Sequence, residues 1–276
     1  MLITKRFVVL NFPKTGSTFV RKVIKKLHHA DNIIGRNVLK PGLPFNGLRE
    51  RIIPSEITAK EFRKNIREQH ATFSQIPEAD RRSKQIMSVF RNPLERYVST
   101  YEYKWYAKNP FFRDNADCIK DFPGFPDLSF SEYLEMQFKY GVRQYAGEQK
   151  PEAAVGPASL QFIRFFFPNP GNIIANLTDQ YIDGEDFRND FPEIRFLHTE
   201  NLNEELYQFL SEHGYPEDKI GFIRSAGEAN KNRQNWAEND WKGYYTDGLL
   251  NKIKHYDRLL FKIFPEYNYQ ERGVRQ

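Results

Sequence analysis

A lysine, a glycine and three hydroxyl side chains lie close together in the segment FVVLNFPKTGSTF, residues 7–19. The apolar run at 7–10 is typical of a strand, and a helical pattern begins at residue 17. A strand that leads through a tight turn into a helix presents unpaired main-chain N–H groups and the positive end of the helix dipole. Lys14 adds a full positive charge, and hydroxyl donors come from Thr15, Ser17 and Thr18. The segment therefore predicts a site for a phosphate-like group.

This loop does not have the Walker A pattern of ATP-binding proteins, because no G-x-x-x-x-G-K-[ST] can be written through it. A second polar group, RNPLERYVSTY at 91–101, follows a predicted strand. Arg91 is expected at the edge of the sheet where open α/β sheets bind ligands. Ser99 lies about two helical turns after Asn92 and is expected to face the same crevice. The arginine fork and the serine hydroxyl suit a second phosphate.

Strand and helix patterns alternate along the chain, which predicts an α/β fold with a mainly parallel sheet flanked by helices. Strands are predicted at 7–11, 69–73, 86–90, 173–177 and 194–197. Helices are predicted at 17–28, 58–65, 93–107, 130–140, 159–166, 203–213 and 246–264. Loops are predicted at 32–54 and 109–128. The simplest organisation is one domain over 1–276 with a long mid-chain insertion.

The composition suits a folded protein that binds anions. The 276 residues are 39% hydrophobic and carry a net charge of +5, with the cations interspersed rather than clustered, so no nucleic-acid partner is expected. The single cysteine, Cys118, excludes an intramolecular disulfide. Neither a signal peptide nor an apolar run of about 18 residues is present. If the chain is complete, we expect a soluble, cytoplasmic protein without a transmembrane segment.

The two polar motifs together resemble the nucleotide-binding pair of sulfotransferases that use 3′-phosphoadenosine 5′-phosphosulfate (PAPS). That family holds the 5′-phosphosulfate with a PKTGST-like loop and the 3′-phosphate with an R-[ND]-P-x-x-R-x-x-S-x-Y segment. Both patterns occur here in that order, at 13–18 and 91–101. The resemblance implies a P-loop-type parallel sheet, PAPS as donor, 3′,5′-ADP as product and no metal. The nucleotide-binding residues it implies are Lys14, Thr15, Gly16, Ser17, Thr18, Arg91 and Ser99.

Within the family, the chain is more similar to the carbohydrate branch, in particular the uronyl 2-O-sulfotransferases. These enzymes have PKTGST and a histidine-bearing H-[VA]-x-[FY] segment before the 3′-phosphate strand. Here that segment is HATF at 70–73. Gln69 replaces the glycine of the family and Glu68 its companion histidine. The resemblance implies a hydroxyl-bearing acceptor, expected to be a saccharide.

Sulfuryl transfer needs a base for the acceptor proton and a cation for the departing phosphate oxygen. The resemblance assigns the cation role to Lys14, and we predict His70 as the base. The alternatives for the base are Glu68, Glu102 and His198. The remaining histidines are expected to be structural: His28, His29, His213 and His255.

Later segments resemble the family more loosely. Glu200, after the strand at 194–197, is expected to be structural. The segment ANKNR at 229–233 is similar to a basic loop that closes over the nucleotide, and Lys231 or Arg233 is expected to contact it; the alternative is a plain surface loop. Within the single domain, 5–30 and 68–107 are assigned to the nucleotide and 108–170 to the acceptor side.

Two other functions remain open from the residues alone. One is an ATP-dependent P-loop kinase, which the missing Walker lysine–hydroxyl pair disfavours. The other is a non-catalytic protein that binds glycans or nucleotides on the same fold. Retention of Lys14, His70, Arg91 and Ser99 together favours the enzyme.

Overall fold

The computed structural model describes residues 1–28, 49–50, 70–226 and 241–268. Within these residues, five strands form one sheet in the order β3–β1–β2–β4–β5. The strands are β1 (Leu2–Ile3), β2 (Phe7–Leu10), β3 (Arg49–Glu50), β4 (Gln85–Phe90) and β5 (Arg195–His198). Strands β2, β4 and β5 run parallel, whereas β1 pairs antiparallel with both β2 and β3. The predicted α/β class, a mainly parallel sheet flanked by helices, is confirmed.

Helices make up most of the remaining described chain. In chain order they are α1 (Ser17–Leu27), α2 (Glu78–Ser83), α3 (Pro93–Glu102), α4 (Trp105–Lys108), α5 (Pro110–Arg113), α6 (Ala116–Asp121), α7 (Phe130–Met136), α8 (Val142–Ala146), α9 (Pro157–Phe166), α10 (Pro170–Ala175), α11 (Asp179–Asp183), α12 (Phe187–Asp190), α13 (Leu202–Glu212), α14 (Glu217–Ile220), α15 (Asp247–Tyr256) and α16 (Arg258–Ile263). A π-helical segment, Gln137–Gly141, joins α7 to α8, so the helix predicted at 130–140 continues to Ala146.

The elements with the clearest hydrophobic periods are confirmed to within two residues at each end. They are the strands at 7–11, 86–90 and 194–197 and the helices at 17–28, 159–166 and 203–213. Typical end signals mark two helix boundaries. Gly214 has φ 69° just beyond α13, and the Asn92 side chain accepts a hydrogen bond from the Leu94 N–H at the start of α3.

Two predicted strands are wrong. At 69–73, the described residues form no strand; Thr72 instead begins a turn of 3₁₀ helix, Phe73–Gln75, and its N–H donates to the Gln75 side chain at 2.9 Å. At 173–177, the isoleucines belong to α10, which Pro170 starts at its first position. In both places a local start signal for a helix outweighs the β-branched or aromatic composition.

Three further boundaries differ from the prediction. The loop expected at 109–128 contains α5 and α6, each begun by an asparagine side chain that accepts a main-chain N–H. The helix expected at 93–107 is interrupted at Lys104, whose φ is 49°. The helix expected at 246–264 is divided at Asp257 into α15 and α16. Residues 49–50 form β3 within a predicted loop; the rest of 32–54 and the helix at 58–65 lie outside the described residues.

The chain divides into two compact units. The first comprises residues 1–91 and 193–239 and contains the whole sheet. Its core joins the strands to α1 and α13, with Phe7 against Phe209 at a ring distance of 5.0 Å. Because β2, β4 and β5 are parallel, their carboxyl ends Leu10, Phe90 and His198 lie at one edge of the sheet.

The second unit comprises residues 92–192 and 240–276 and is helical throughout its described part. It includes most of the predicted insertion. Its interior contains a fully buried carboxylate, Asp257, which accepts hydrogen bonds from the Tyr97 hydroxyl at 2.6 Å and the Ser159 N–H at 2.7 Å. These bonds attach α3 and α9 to the junction of α15 and α16. The assignment of 5–30, 68–107 and 108–170 within one domain stays a prediction.

Among the described residues, no helix has the length and apolar character needed to cross a membrane.

Candidate active site

The loop between β2 and α1 is closed around one carbonyl oxygen. The hydroxyls of Thr15 and Ser17 both donate to the main-chain oxygen of Phe12, at 2.9 and 2.8 Å. Two residues of the loop have left-handed backbone, Lys14 with φ 66° and Gly16 with φ 85°. At Gly16 a Cβ atom would lie 2.9 Å from Leu202 Cδ2, so the position requires glycine both for its φ and for its space. The sequence therefore folds here into a tight turn that leads directly into α1.

This closure engages two of the hydroxyls that the sequence predicts as donors. Thr15 and Ser17 donate their hydroxyl protons to the Phe12 oxygen and so hold the loop, and their use at a ligand stays a prediction. Thr18 is exposed in the first turn of α1. That turn has no acidic residue and, in the described chain, no side-chain cap. The main-chain N–H groups at the start of α1 and the ammonium of Lys14 are the groups of the loop whose charge best suits an anion.

Lys14 and Arg91 form a pair of like charges. Partial burial, with a smaller contribution from the nearby Arg91 cation, lowers the pKa of Lys14 to about 8. Arg91 directly follows β4 and is 8% exposed. The parallel strands thus bring the loop after β2 and the arginine after β4 to the same edge, as the sequence predicts for open α/β sheets. An anion at this edge would relieve the repulsion between the two cations.

Thr199 connects these two strand ends, and sequence analysis missed it. Its hydroxyl lies 2.9 Å from the main-chain oxygen of Thr15 in the loop and 2.9 Å from that of Phe90, the residue before Arg91. The residue directly follows β5, which is the next strand in the sheet. Its place at a third carboxyl end was the signal available in the sequence. Its neighbour Glu200, which the sequence suggested as a structural residue, is exposed.

His70 lies beside the residue that begins the loop. Its Nδ1 atom is 2.6 Å from the main-chain oxygen of Asn11, and since a carbonyl can only accept, Nδ1 is assigned the proton. The lone pair of the neutral ring is then on Nε2, the tautomer needed for a general base. The side chain is partly buried. His70 lies three residues before the 3₁₀ turn Phe73–Gln75.

The alternative bases have different environments. His198 receives two contacts from Glu205: its main-chain N–H donates to Oε2 at 2.6 Å, and its Nδ1 lies 3.2 Å from both carboxylate oxygens. This carboxylate holds His198 at the end of β5, which is a structural arrangement. Glu102, in the second unit, accepts a hydrogen bond from the Tyr244 hydroxyl at 2.7 Å. Glu68 lies outside the described residues.

The remaining described histidines have the structural settings expected of them. His28 Nε2 is 2.8 Å from the Tyr215 hydroxyl at the end of α1, and His213 Nδ1 is 2.7 Å from the Phe209 oxygen at the end of α13. His255 packs against Tyr256 on α15. His29, Lys231 and Arg233 lie outside the described residues.

Ser99 and Arg96 belong to the second unit, on α3. Ser99 is buried, six residues beyond the first helical position, Pro93. The Arg96 guanidinium donates to the side chain of Gln161 and is also buried, which anchors α3 to α9. The structure therefore gives Arg96 a packing role within its unit and leaves the predicted use of Ser99 at a phosphate as a prediction.

The described residues do not favour a metal centre or a cysteine nucleophile. Within them, no group of three or more His, Cys, Asp or Glu side chains is arranged to hold a metal ion. Cys118 is buried, and burial raises the pKa of its thiol to about 11, so the thiolate form is disfavoured. It is not placed to act as a nucleophile.

Comparison with known proteins gives one match. A model of the Sulfotransferase family matches residues 3–165, which is more than half of the chain. No curated protein and no solved structure gives a significant match. The matched stretch begins before the loop that carries Lys14 and extends past Ser99, so it includes the two predicted phosphate motifs and His70. With both motifs at strand-to-helix junctions of an α/β sheet, this chain belongs to the sulfotransferase family.

Proposed function

We propose that this protein is a PAPS-dependent sulfotransferase that transfers the sulfuryl group to a hydroxyl of a saccharide. The observation that carries the proposal is the Lys14–Arg91 pair. Two cations at one sheet edge, one on a left-handed loop at a helix N-terminus, form a site for a ligand with more than one anionic group.

The chemistry of the donors fits this nucleotide. The main-chain N–H groups at the start of α1 and the Lys14 ammonium suit the 5′-phosphosulfate, and the buried Arg91 guanidinium suits the 3′-phosphate. Ser99 is proposed as a further donor to the 3′-phosphate.

In the proposed mechanism the residues act by position and charge. The bound nucleotide supplies an already activated sulfuryl group, so no metal ion is required in the proposal. His70 holds its Nδ1 proton on the Asn11 carbonyl, which orients Nε2 to accept the proton of the acceptor hydroxyl. The Lys14 ammonium stabilises the negative charge that develops on the departing phosphate oxygen.

The saccharide part of the proposal rests on the second unit. An open groove of about 800 Å³ there is lined by residues that include Phe138, Tyr256, Arg143 and Lys252. The Lys252 ammonium lies 5.1 Å from the centre of the Phe138 ring. Aromatic faces beside cations suit an anionic sugar, which stacks through its ring and pairs through its acidic groups. This groove is our candidate for acceptor recognition.

Calorimetry separates the proposed function from its alternatives. We expect 3′,5′-ADP to bind in the absence of divalent metal, at least about 100-fold more tightly than ATP binds with or without Mg²⁺. The reason is that only 3′,5′-ADP has a 3′-phosphate to fill the Arg91 site, where it would gain two or more charge-assisted hydrogen bonds. Transfer of radiolabelled sulfate from PAPS is then measured on saccharides, phenols, peptides and lipids.

Each other result identifies a different function. Preference for ATP with Mg²⁺ contradicts the donor and favours a kinase. Tight binding of 3′,5′-ADP with no incorporation into any acceptor favours a non-catalytic protein. Incorporation into phenols or peptides but not saccharides contradicts the acceptor class alone.

The lowered pKa of Lys14 predicts a pH dependence of nucleotide binding. Below pH 8 the free protein carries the ammonium, whereas above it the charge is lost before binding. A bound anion raises this pKa, so binding takes up a proton, and the dissociation constant of 3′,5′-ADP should rise by up to about tenfold per pH unit above pH 8. Titration between pH 7 and 9.5, in buffers of different ionisation enthalpy, measures both effects.

The matched control is Lys14→Arg, whose guanidinium stays charged throughout this range. Its affinity for 3′,5′-ADP should be independent of pH between 7 and 9.5. A wild-type dissociation constant that is equally flat would show that Lys14 does not contact the anion.

A further inference from the structure

The hydroxyl of Thr199 is within hydrogen-bond distance of two carbonyl oxygens that belong to different strand ends. One oxygen belongs to Thr15, in the loop that carries Lys14. The other belongs to Phe90, the residue directly before Arg91. Both distances are 2.9 Å. A hydroxyl has one proton, so the two carbonyls share it in a three-centre arrangement.

The loop is held on its other side as well. Thr15 donates its own hydroxyl to Phe12, so this residue is fixed at both its side chain and its carbonyl. Leu202, at the start of α13, places its Cδ2 atom 2.9 Å from the position that a Cβ of Gly16 would take, and Thr199 Cγ2 is 3.8 Å from the same point. The turn after β5 therefore holds the loop in two ways, by packing next to Gly16 and by the hydrogen bond to the Thr15 oxygen.

We propose that Thr199 is a positioning residue that fixes the loop of Lys14 to the end of β4, and so sets the separation between the Lys14 and Arg91 cations. The inference rests on the proposed function, in which these cations hold the two anionic ends of one nucleotide. A ligand that spans two sites gains from both only when their separation matches its own length. Thr199 would then matter for ligands with both phosphates and little for ligands with one.

The test compares Thr199→Val, which keeps the shape and removes the hydroxyl, with Thr199→Ser, which keeps the hydroxyl. The control is Ser88→Ala: Ser88 on β4 donates its buried hydroxyl to the Leu10 oxygen of β2 at 2.9 Å, a bond of the same kind in the same sheet but not to the loop. Dissociation constants of 3′,5′-ADP and 5′-AMP are measured calorimetrically for each protein. Thr199→Ala replaces Thr199→Val if the latter does not fold.

We expect Thr199→Val to bind 3′,5′-ADP about tenfold more weakly and 5′-AMP within about twofold of wild type, as for the loss of one net hydrogen bond between the sites. Thr199→Ser and Ser88→Ala should match wild type for both ligands within about twofold. Equal losses for the two ligands would mean a general structural role and overturn the proposal. So would unchanged binding in Thr199→Val, or the same loss in Thr199→Ser.

A second measurement needs no nucleotide and keeps the two proposals apart. The pH dependence of Lys14 acetylation, followed by mass spectrometry, reports the pKa of this side chain in the free protein. With the loop released from β4, Lys14 gains solvent and distance from Arg91, so its pKa should rise from about 8 towards 10.5 in Thr199→Val but not in Ser88→Ala. If the wild-type protein does not bind 3′,5′-ADP, the proposed function fails, and the pKa of Lys14 alone then tests the role of Thr199. A pKa of Lys14 that is unchanged in Thr199→Val overturns that role.

Discussion

Replacing His70 by asparagine is expected to lower kcat for sulfate transfer by about 10²–10⁴-fold, the usual contribution of a positioned general base. Asparagine is chosen because its amide N–H can still donate to the Asn11 oxygen, the bond that His70 Nδ1 makes at 2.6 Å. The substitution therefore removes the Nε2 lone pair and retains the tether. The affinity for 3′,5′-ADP should stay within about twofold of wild type, because His70 is assigned to the acceptor proton and not to the nucleotide.

His213→Asn is the matched control. His213 also places Nδ1 near a main-chain oxygen, that of Phe209 at 2.7 Å, in the same unit, but at the end of α13 rather than beside the loop. It should retain wild-type kcat. The pH profile provides a further test, since the decrease of kcat/KM at acid pH that reports protonation of the base should be absent in His70→Asn. Wild-type turnover in His70→Asn would remove His70 from the mechanism and direct attention to Glu68.

The strand, turn and helix that form the loop of Lys14 could be predicted from the sequence because all of their determinants are local. The apolar residues of β2, the left-handed Gly16 and the start of α1 follow one another within a few residues. The position of Arg91 was predictable for the same reason, because it directly follows a short run of mostly apolar residues that forms β4. That the two meet at one edge then follows from parallel pairing alone.

Other features depend on contacts between distant parts of the chain and could not be predicted in this way. The role of Thr199 requires knowing that β5 is the neighbour of β4, more than 100 residues away, since its partners are the carbonyls of Thr15 and Phe90. Strands β1 and β3 are two residues each, too short to show an alternating pattern. The sequence also did not reveal that the Phe12 carbonyl accepts hydrogen bonds from the hydroxyls of both Thr15 and Ser17, because these bonds depend on the exact conformation of the turn.

Replacing Lys14 by methionine should lower kcat by about 10²–10³-fold, which is typical when one group that stabilises developing charge is removed. Methionine retains the unbranched, apolar part of the side chain and removes the ammonium. The dissociation constant of 3′,5′-ADP should also rise, because the loop loses its full charge. Lys14→Arg retains the charge and should recover most of the binding but less of kcat, since the broader guanidinium cannot place a point charge at the same atom.

Lys14→Met should also make the free protein more stable, whereas removing a lysine that stabilises the fold would make it less stable. Below pH 8 Lys14 is charged in both the folded and the unfolded states, and the folded state bears the cost of burying that charge beside Arg91. Since its pKa falls from 10.5 to about 8 on folding, Lys14→Met should raise the free energy of unfolding at pH 7 by up to about 3 kcal/mol. The difference should shrink between pH 8 and 10.5, where the folded wild type loses its proton before the unfolded chain does. Urea unfolding at pH 7 and 9.5 measures this trend. A Lys14→Met protein that is less stable than wild type at pH 7 would show that the Lys14 charge does not destabilise the free protein, and so would remove this argument for an anion site.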